Sequence, residues 1–105
     1  MIIKNKTTKD LEQLKKENQI FIFNIHADWC GACEMLGAEL QEIEKTNPEI
    51  QIFRSIVENE QEFVVENKIM GTPQTYIFAN GEKVWDHYGF IPKEILLEVI
   101  NKWKQ

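Results

Sequence analysis

The two cysteines of this 105-residue chain stand two residues apart in Ala27-Asp28-Trp29-Cys30-Gly31-Ala32-Cys33. They fall where an apolar, strand-like run gives way to a helical pattern, a placement that points to thiol chemistry at a helix N-terminus. A structural disulfide across so short a loop would remove little entropy from the unfolded chain. Residues Met1 to Ile20 carry Lys4, Lys6, Lys9, Lys15 and Lys16 and no apolar run long enough for a signal segment or a membrane span. The reading is therefore a soluble, cytoplasmic protein in a reducing compartment, where a reactive pair is expected rather than a stapling one. The competing chemistry is half of a zinc site completed by His26 and His87. His26 lies on a run read as a buried strand and no second Cys-X-X-Cys is present, so no metal is expected.

The elements that must position the pair follow from patterning. Ile20-Phe21-Ile22-Phe23-Asn24-Ile25-His26 is apolar on both faces and reads as the central strand of a sheet. From Cys30 to about Lys45 a helical pattern places Met35, Leu36, Leu40 and Ile43 on one face, with Pro48 beyond its end. Gly37 inside it marks a bend or a close helix–sheet contact. Ile50 to Val57 reads as a second strand, so strand–helix–strand forms a right-handed parallel unit with the cysteines at the carboxyl end of the central strand. Upstream, Ile2 and Ile3 start a short edge strand, and Thr7 with Asp10 caps a helix from about Thr8 to Glu17 that buries Leu11 and Leu14. Downstream, Asn59 with Glu62 starts a short helix to about Asn67. Gln74–Phe78 and Lys83–Tyr88 form an antiparallel hairpin around Asn80-Gly81, and Pro92 opens a last helix with Leu96, Val99, Ile100 and Trp103 inward.

Composition bounds the function. At 43% apolar content the length suits one domain, residues 1–105, with a modest core. Twelve basic against seventeen acidic residues give a net charge of −5, with no basic stripe interleaved with aromatics, which argues against nucleic acid as a partner. There is no repeat or low-complexity tract. A monomer is the default at this size.

The order β-α-β-α-β-α-β-β-α with Trp29-Cys30-Gly31-Ala32-Cys33 after the second strand resembles the thioredoxin family, and the likeness covers essentially the whole chain. Gly71-Thr72-Pro73 is similar to the family's cis-proline loop, and Gly89 falls where the family has a glycine after its hairpin. The resemblance implies an α/β thioredoxin fold, a mixed five-stranded sheet with helices on both faces. It also implies a protein-disulfide reductase that cycles Cys30 and Cys33 between dithiol and disulfide, with no tightly bound cofactor. Cys30 would be the nucleophile and Cys33 the resolving thiol. Trp29, Gly71, Thr72, Pro73 and Gly89 would form the surface that meets disulfide-containing protein substrates, with Thr72 offering a backbone edge to an extended segment. Trp85 and Trp103 read as packing residues instead. Electrons would come from a thioredoxin-reductase-like flavoprotein using NADPH.

Asn24, His26, Gly31 and Ala32 are the positions expected to tune the site, and of these Asn24, His26 and Ala32 depart from the family pattern. Asn24 stands where the family usually has a buried aspartate that takes the proton of the resolving cysteine, and an amide cannot act as that base. His26, two residues on and on the same face, or water near Glu34, takes over part of the proton traffic, unless His26 only fills the space of an aromatic. Ala32 replaces the usual proline beside Gly31, which implies a weaker reductant. Glu34, in place of a common lysine, opposes the Cys33 thiolate. Arg54 coincides with a family lysine and either favours that thiolate or, as the simpler expectation, snorkels to a strand end. The alternatives are a dedicated-partner oxidant or isomerase of the same fold, and an interaction module whose thiols are incidental.

Overall fold

The computed structural model describes residues 4–104. Its five strands, β1 (Lys4–Asn5), β2 (Ile20–His26), β3 (Gln51–Ile56), β4 (Gln74–Ala79) and β5 (Glu82–Tyr88), form one sheet in the order β1-β3-β2-β4-β5. β2 pairs parallel with β3 and antiparallel with β4, so the sheet is mixed. Helices α1 (Leu11–Glu17), α2 (Gly31–Thr46), α3 (Gln61–Glu66) and α4 (Lys93–Trp103) cover its two faces. Ile2 and Ile3 lie outside the described residues, and the edge strand they were expected to start is present at Lys4–Asn5.

Alternation along β2 builds two cores from one strand. Phe21, Phe23 and Ile25 join Leu11, Leu14, Phe53, Tyr76 and Phe78 on the face covered by α1 and α3. Ile22 points the other way, into a layer with Leu36, Leu40, Ile43, Ile77, Leu96 and Ile100 under α2 and α4. Leu36, Leu40 and Ile43 are fully buried, each worth about 1.5–3 kcal/mol relative to exposure. Met35 is not among them. It is 58% exposed, because the buried stripe runs i, i+4, i+7 from Leu36 and the preceding residue points about a quarter turn away. Trp103 is likewise exposed at the last turn of α4, while Trp85 is partly buried and stacks on His87 with ring centroids 5.7 Å apart.

Three local features hold the ends of these elements. The Asp10 carboxylate accepts from the backbone N–H of Thr7 at 2.9 Å, closing the expected cap, although Thr8–Asp10 is a 3-10 turn before α1 proper. Asn80 and Gly81 both adopt positive φ, 54° and 85°, the geometry a two-residue hairpin demands. α3 starts one residue later than Asn59 suggested, with Glu60 at its N-cap and Asn59 in the preceding 3-10 turn. Glu60 is 3% exposed. Its carboxylate accepts from the backbone N–H of Thr8 at 2.9 Å and from the hydroxyls of Thr8 and Ser55, tying the entry of α1 to β3.

Candidate functional site

β2 ends at His26, and the chain then turns through Ala27–Trp29 into α2. Trp29 sits at φ 59° with its side chain fully exposed. A non-glycine residue in that region costs on the order of 1–3 kcal/mol. The turn delivers Cys30 to the N-cap of α2, where its Sγ accepts from the backbone N–H of Cys33 at 3.2 Å. The sulfur therefore meets the orphan donors and the positive end of the helix dipole, both of which favour negative charge on it. Cys30 and Cys33 are joined in a disulfide, so the oxidised state of the pair is the one seen. Cys30 remains partly accessible, whereas Cys33, one turn into the helix, is 3% exposed.

The Gly71-Thr72-Pro73 loop closes the opposite side. The Thr72–Pro73 peptide is cis. Thr72 brings its carbonyl oxygen to 3.8 Å and its hydroxyl to 3.7 Å from the Cys30 sulfur. Gly89, at φ 99°, donates its N–H to the Pro73 carbonyl at 2.8 Å, which fixes the loop to the end of β5. A Cβ on Gly71 would meet the Tyr88 hydroxyl at 3.0 Å, so a larger residue there would require the tyrosine ring to shift off the loop. Trp29, Met70 and Tyr88 are exposed apolar side chains of the segments that flank the sulfur.

Beneath the pair, Asn24 is fully buried on the α2 side of β2. Its Nδ2 donates to the Thr75 hydroxyl at 2.9 Å and, more weakly, to the Gln74 carbonyl at 3.5 Å. Its Oδ1 accepts from Arg54 Nε at 2.8 Å. Arg54 is half-buried and does not reach out to a strand end as expected, while Ile56 beyond it is exposed. Its Nη2 donates to the Cys33 carbonyl at 3.4 Å, and its Nη1 lies 3.1 Å from where a Cβ on Gly37 would sit. Gly37 is therefore the close helix–sheet contact, made by an arginine. A cleft of about 240 Å³ opens beside the disulfide, lined by His26, Asp28, Glu34 and Arg54 as well as both cysteines.

Partial burial, and secondarily the Arg54 charge, holds the His26 imidazole below its ordinary pKa, with Asp28 and Glu58 opposing. Its neutral form is the one favoured at neutral pH. His87 is elsewhere, on β5, with Nε2 3.1 Å from the Phe90 carbonyl. Among the described residues no three His, Cys, Asp or Glu side chains come together as a ligand set. Of the residues singled out in the sequence, the fold brings Asn24, His26, Trp29, Cys30, Cys33, Thr72 and Arg54 around one sulfur pair. Glu60 was not foreseen, since nothing local in the sequence distinguishes it from the other surface acids.

Comparison with known proteins agrees with this geometry. The sequence profile of the Thioredoxin family matches residues 2–102. The thioredoxin of Listeria monocytogenes is 33% identical over 103 residues, covering 97% of this chain and 99% of that protein. That of Bacillus subtilis is 31% identical over 84 residues, covering 79% and 81%. Among solved structures, a thioredoxin from Fasciola hepatica superimposes with a TM-score of 0.82 at 24% identity, covering 97% of this chain and all of that one. The oxidised thioredoxin from Plasmodium falciparum does so with a TM-score of 0.78 at 21% identity, covering 99% and 100%.

Proposed function

Because the chain belongs to the thioredoxin family and its Cys-X-X-Cys pair makes it a thiol–disulfide oxidoreductase acting on disulfide substrates, we propose that Cys30 attacks and Cys33 resolves. One observation carries this division: Cys30 sits accessible at the N-cap of α2, whereas Cys33 is 3% exposed one turn further in. In the dithiol state the Cys30 thiolate attacks one sulfur of the substrate disulfide. The substrate S–S bond breaks, its second sulfur leaves and takes a proton, and a mixed disulfide forms. Cys33 then gives up its proton and attacks Cys30 Sγ, so that the remaining substrate sulfur departs as a thiol. Two electrons have passed to the substrate and the protein is left with the Cys30–Cys33 disulfide.

Trp29, Gly71, Thr72, Pro73 and Gly89 form the surface against which the substrate segment lies, with the Thr72 backbone beside the attacking sulfur. Regeneration needs a dithiol donor, and family membership supports a thioredoxin-reductase-like flavoprotein using NADPH. The reducing supply that such a cycle requires supports the cytoplasm as its compartment, and the chain's size supports a single-domain monomer. Among the described residues, no helix is long and apolar enough to cross a membrane.

The division of labour is tested by alkylating the reduced protein with limiting iodoacetamide and mapping the modified residue by mass spectrometry. Cys30 is expected to react first by about tenfold or more, from thiolate fraction and access together; equal labelling, or Cys33 first, would reverse the roles.

His26, neutral and lining the same cleft as Cys33, is the proton acceptor for the resolving thiol. His26→Phe is expected to slow resolution at neutral pH by about tenfold, short of the ~10²-fold usual for a general base, because the cleft is open to solvent. It should also remove a step from the pH–rate profile below the ordinary histidine pKa. A profile unchanged in that variant would reduce His26 to a space-filling ring.

A further inference from the structure

We propose that the cleft beside the cis-proline loop, between Gln74, Lys68 and Tyr88, is a specificity subsite for a carboxylate side chain of the disulfide substrate, an aspartate or glutamate close in sequence to the reacting cysteine. The inference rests on the substrate segment lying against the Thr72 edge.

The carrying observation is a polar side chain buried without a partner. Gln74 follows Pro73 at the start of β4, and alternation with Tyr76 and Phe78 turns its side chain to the α1/α3 face. The residue is only 8% exposed. Its backbone carbonyl accepts from Asn24, but among the described residues its side-chain amide has no hydrogen-bond partner. It lines a cleft of about 200 Å³, together with Lys68 and Met70 from the segment after α3 and Lys83, Asp86 and Tyr88 from β5. An amide that opens onto a cleft instead of a protein partner is left to bind a ligand.

The charges of the cleft select the ligand. Lys83 reaches Asp86 at 3.1 Å and lies 5.2 Å over the Tyr76 ring, so its charge is matched within the cleft. Lys68 has no carboxylate within ion-pair distance among the described residues. Its backbone sits at φ 53°, with its N–H on the Val65 carbonyl at 3.3 Å in the turn that ends α3, a conformation that glycine adopts at less cost. In a chain of net charge −5 the cleft thus carries one unmatched positive charge beside an amide donor. A carboxylate is the side chain that uses both. The Tyr88 hydroxyl, packed over Gly71, adds a donor between the cleft and the loop. Thr72 contacts Cys30 Sγ, and Gln74 follows two residues later, roughly 7 Å along an extended strand. A substrate segment extended along Thr72 with its cysteine at Cys30 therefore brings a residue about two places away over the cleft.

The test compares two disulfide-bonded peptides that differ only in glutamate or glutamine two residues from the reacting cysteine. Each oxidises the prereduced full-length protein in single turnover, and each rate is divided by that of dithiothreitol with the same peptide, which removes the peptide's own reactivity. The glutamate peptide is expected to react about fivefold faster at low ionic strength, the scale of an exposed ion pair with one added hydrogen bond, and the ratio should shrink in high salt. Lys68→Gly is expected to bring the ratio toward one without lowering the thermal midpoint, because glycine suits the positive φ. Lys68→Glu should invert it, and Gln74→Leu should reduce it. In the Cys33→Ser mixed disulfide, the Gln74 side-chain amide resonances should move with the glutamate peptide and not with the glutamine one. Equal normalised rates in wild type, or a preference that Lys68→Gly leaves intact, would overturn the proposal. Whether a segment lies on the Thr72 edge at all is read separately, from the Thr72 amide resonance, which both peptides should move, so the two fail independently.

Discussion

Cys30→Ser is expected to reduce disulfide reduction by about three orders of magnitude or more, to the background of a coupled assay with a small disulfide or an unfolded protein substrate. A serine hydroxyl at the same N-cap is far too weakly acidic to ionise at neutral pH, and no other side chain takes its place. The helix terminus stabilises a negative charge by at most about 2 kcal/mol, far from enough to make an alkoxide. The remaining thiol, Cys33, is 3% exposed one turn into α2 and cannot meet a folded substrate's sulfur directly. Cys33→Ser should lose turnover as well but keep the first attack, so a single equivalent of substrate thiol is still released. That contrast separates a nucleophile from a resolving thiol, whereas an interaction module with incidental cysteines would tolerate both changes.

The largest effect on stability is expected at Phe21. It is fully buried at the centre of the α1/α3 face, stacked on Phe78 with ring centroids 4.9 Å apart and edge-on to Phe53 at 5.6 Å. Phe21→Ala removes the transfer free energy of the ring and leaves a cavity between two strands and a helix, at a cost of about 3–5 kcal/mol. Against a total stability of about 5–15 kcal/mol for a domain of this kind, that loss threatens the fold. Phe21→Leu should cost much less, because most of the volume is kept. Urea denaturation of the oxidised protein measures both, and equal midpoints for the alanine variant and wild type would show that the site collapses around the missing ring.

The elements that were legible in the sequence are those where one local signal had no rival. β2 is apolar on both faces and could only be a buried strand, and Asn80-Gly81 between two alternating runs could only be a tight hairpin. The cysteine pair was legible because its spacing, the strand before it and the helix after it agree. Where the sequence misled, the cause was tertiary. Met35 shares a helix with the buried stripe but is rotated off it, and Trp103 is in phase but lies at the helix's last turn. Glu60 is buried only because Thr8 and Ser55, distant in sequence or on another element, bring their donors to it. Arg54 was visible as an oddity between apolar neighbours. Its direction was not, because it depends on Gly37 leaving space on α2 and on Asn24 accepting from Nε.

Asn24, His26 and Arg54 lie apart from the contacts that hold Cys30 at the helix terminus. Cys30 meets the Cys33 N–H and the Thr72 hydroxyl, neither of which belongs to the residues beneath it. Variants at Asn24 and His26 are therefore expected to alter pH dependence more than they alter which sulfur reacts.

Substrates are expected to pass through a disulfide to Cys30 that Cys33 alone removes. The most direct test is to react the Cys33→Ser protein with a disulfide-containing substrate and map the product by non-reducing mass spectrometry. A stable one-to-one adduct linked through Cys30 is expected, absent from wild type and from Cys30→Ser and released by dithiothreitol. No adduct with Cys33→Ser, or the same adduct with Cys30→Ser, would contradict it.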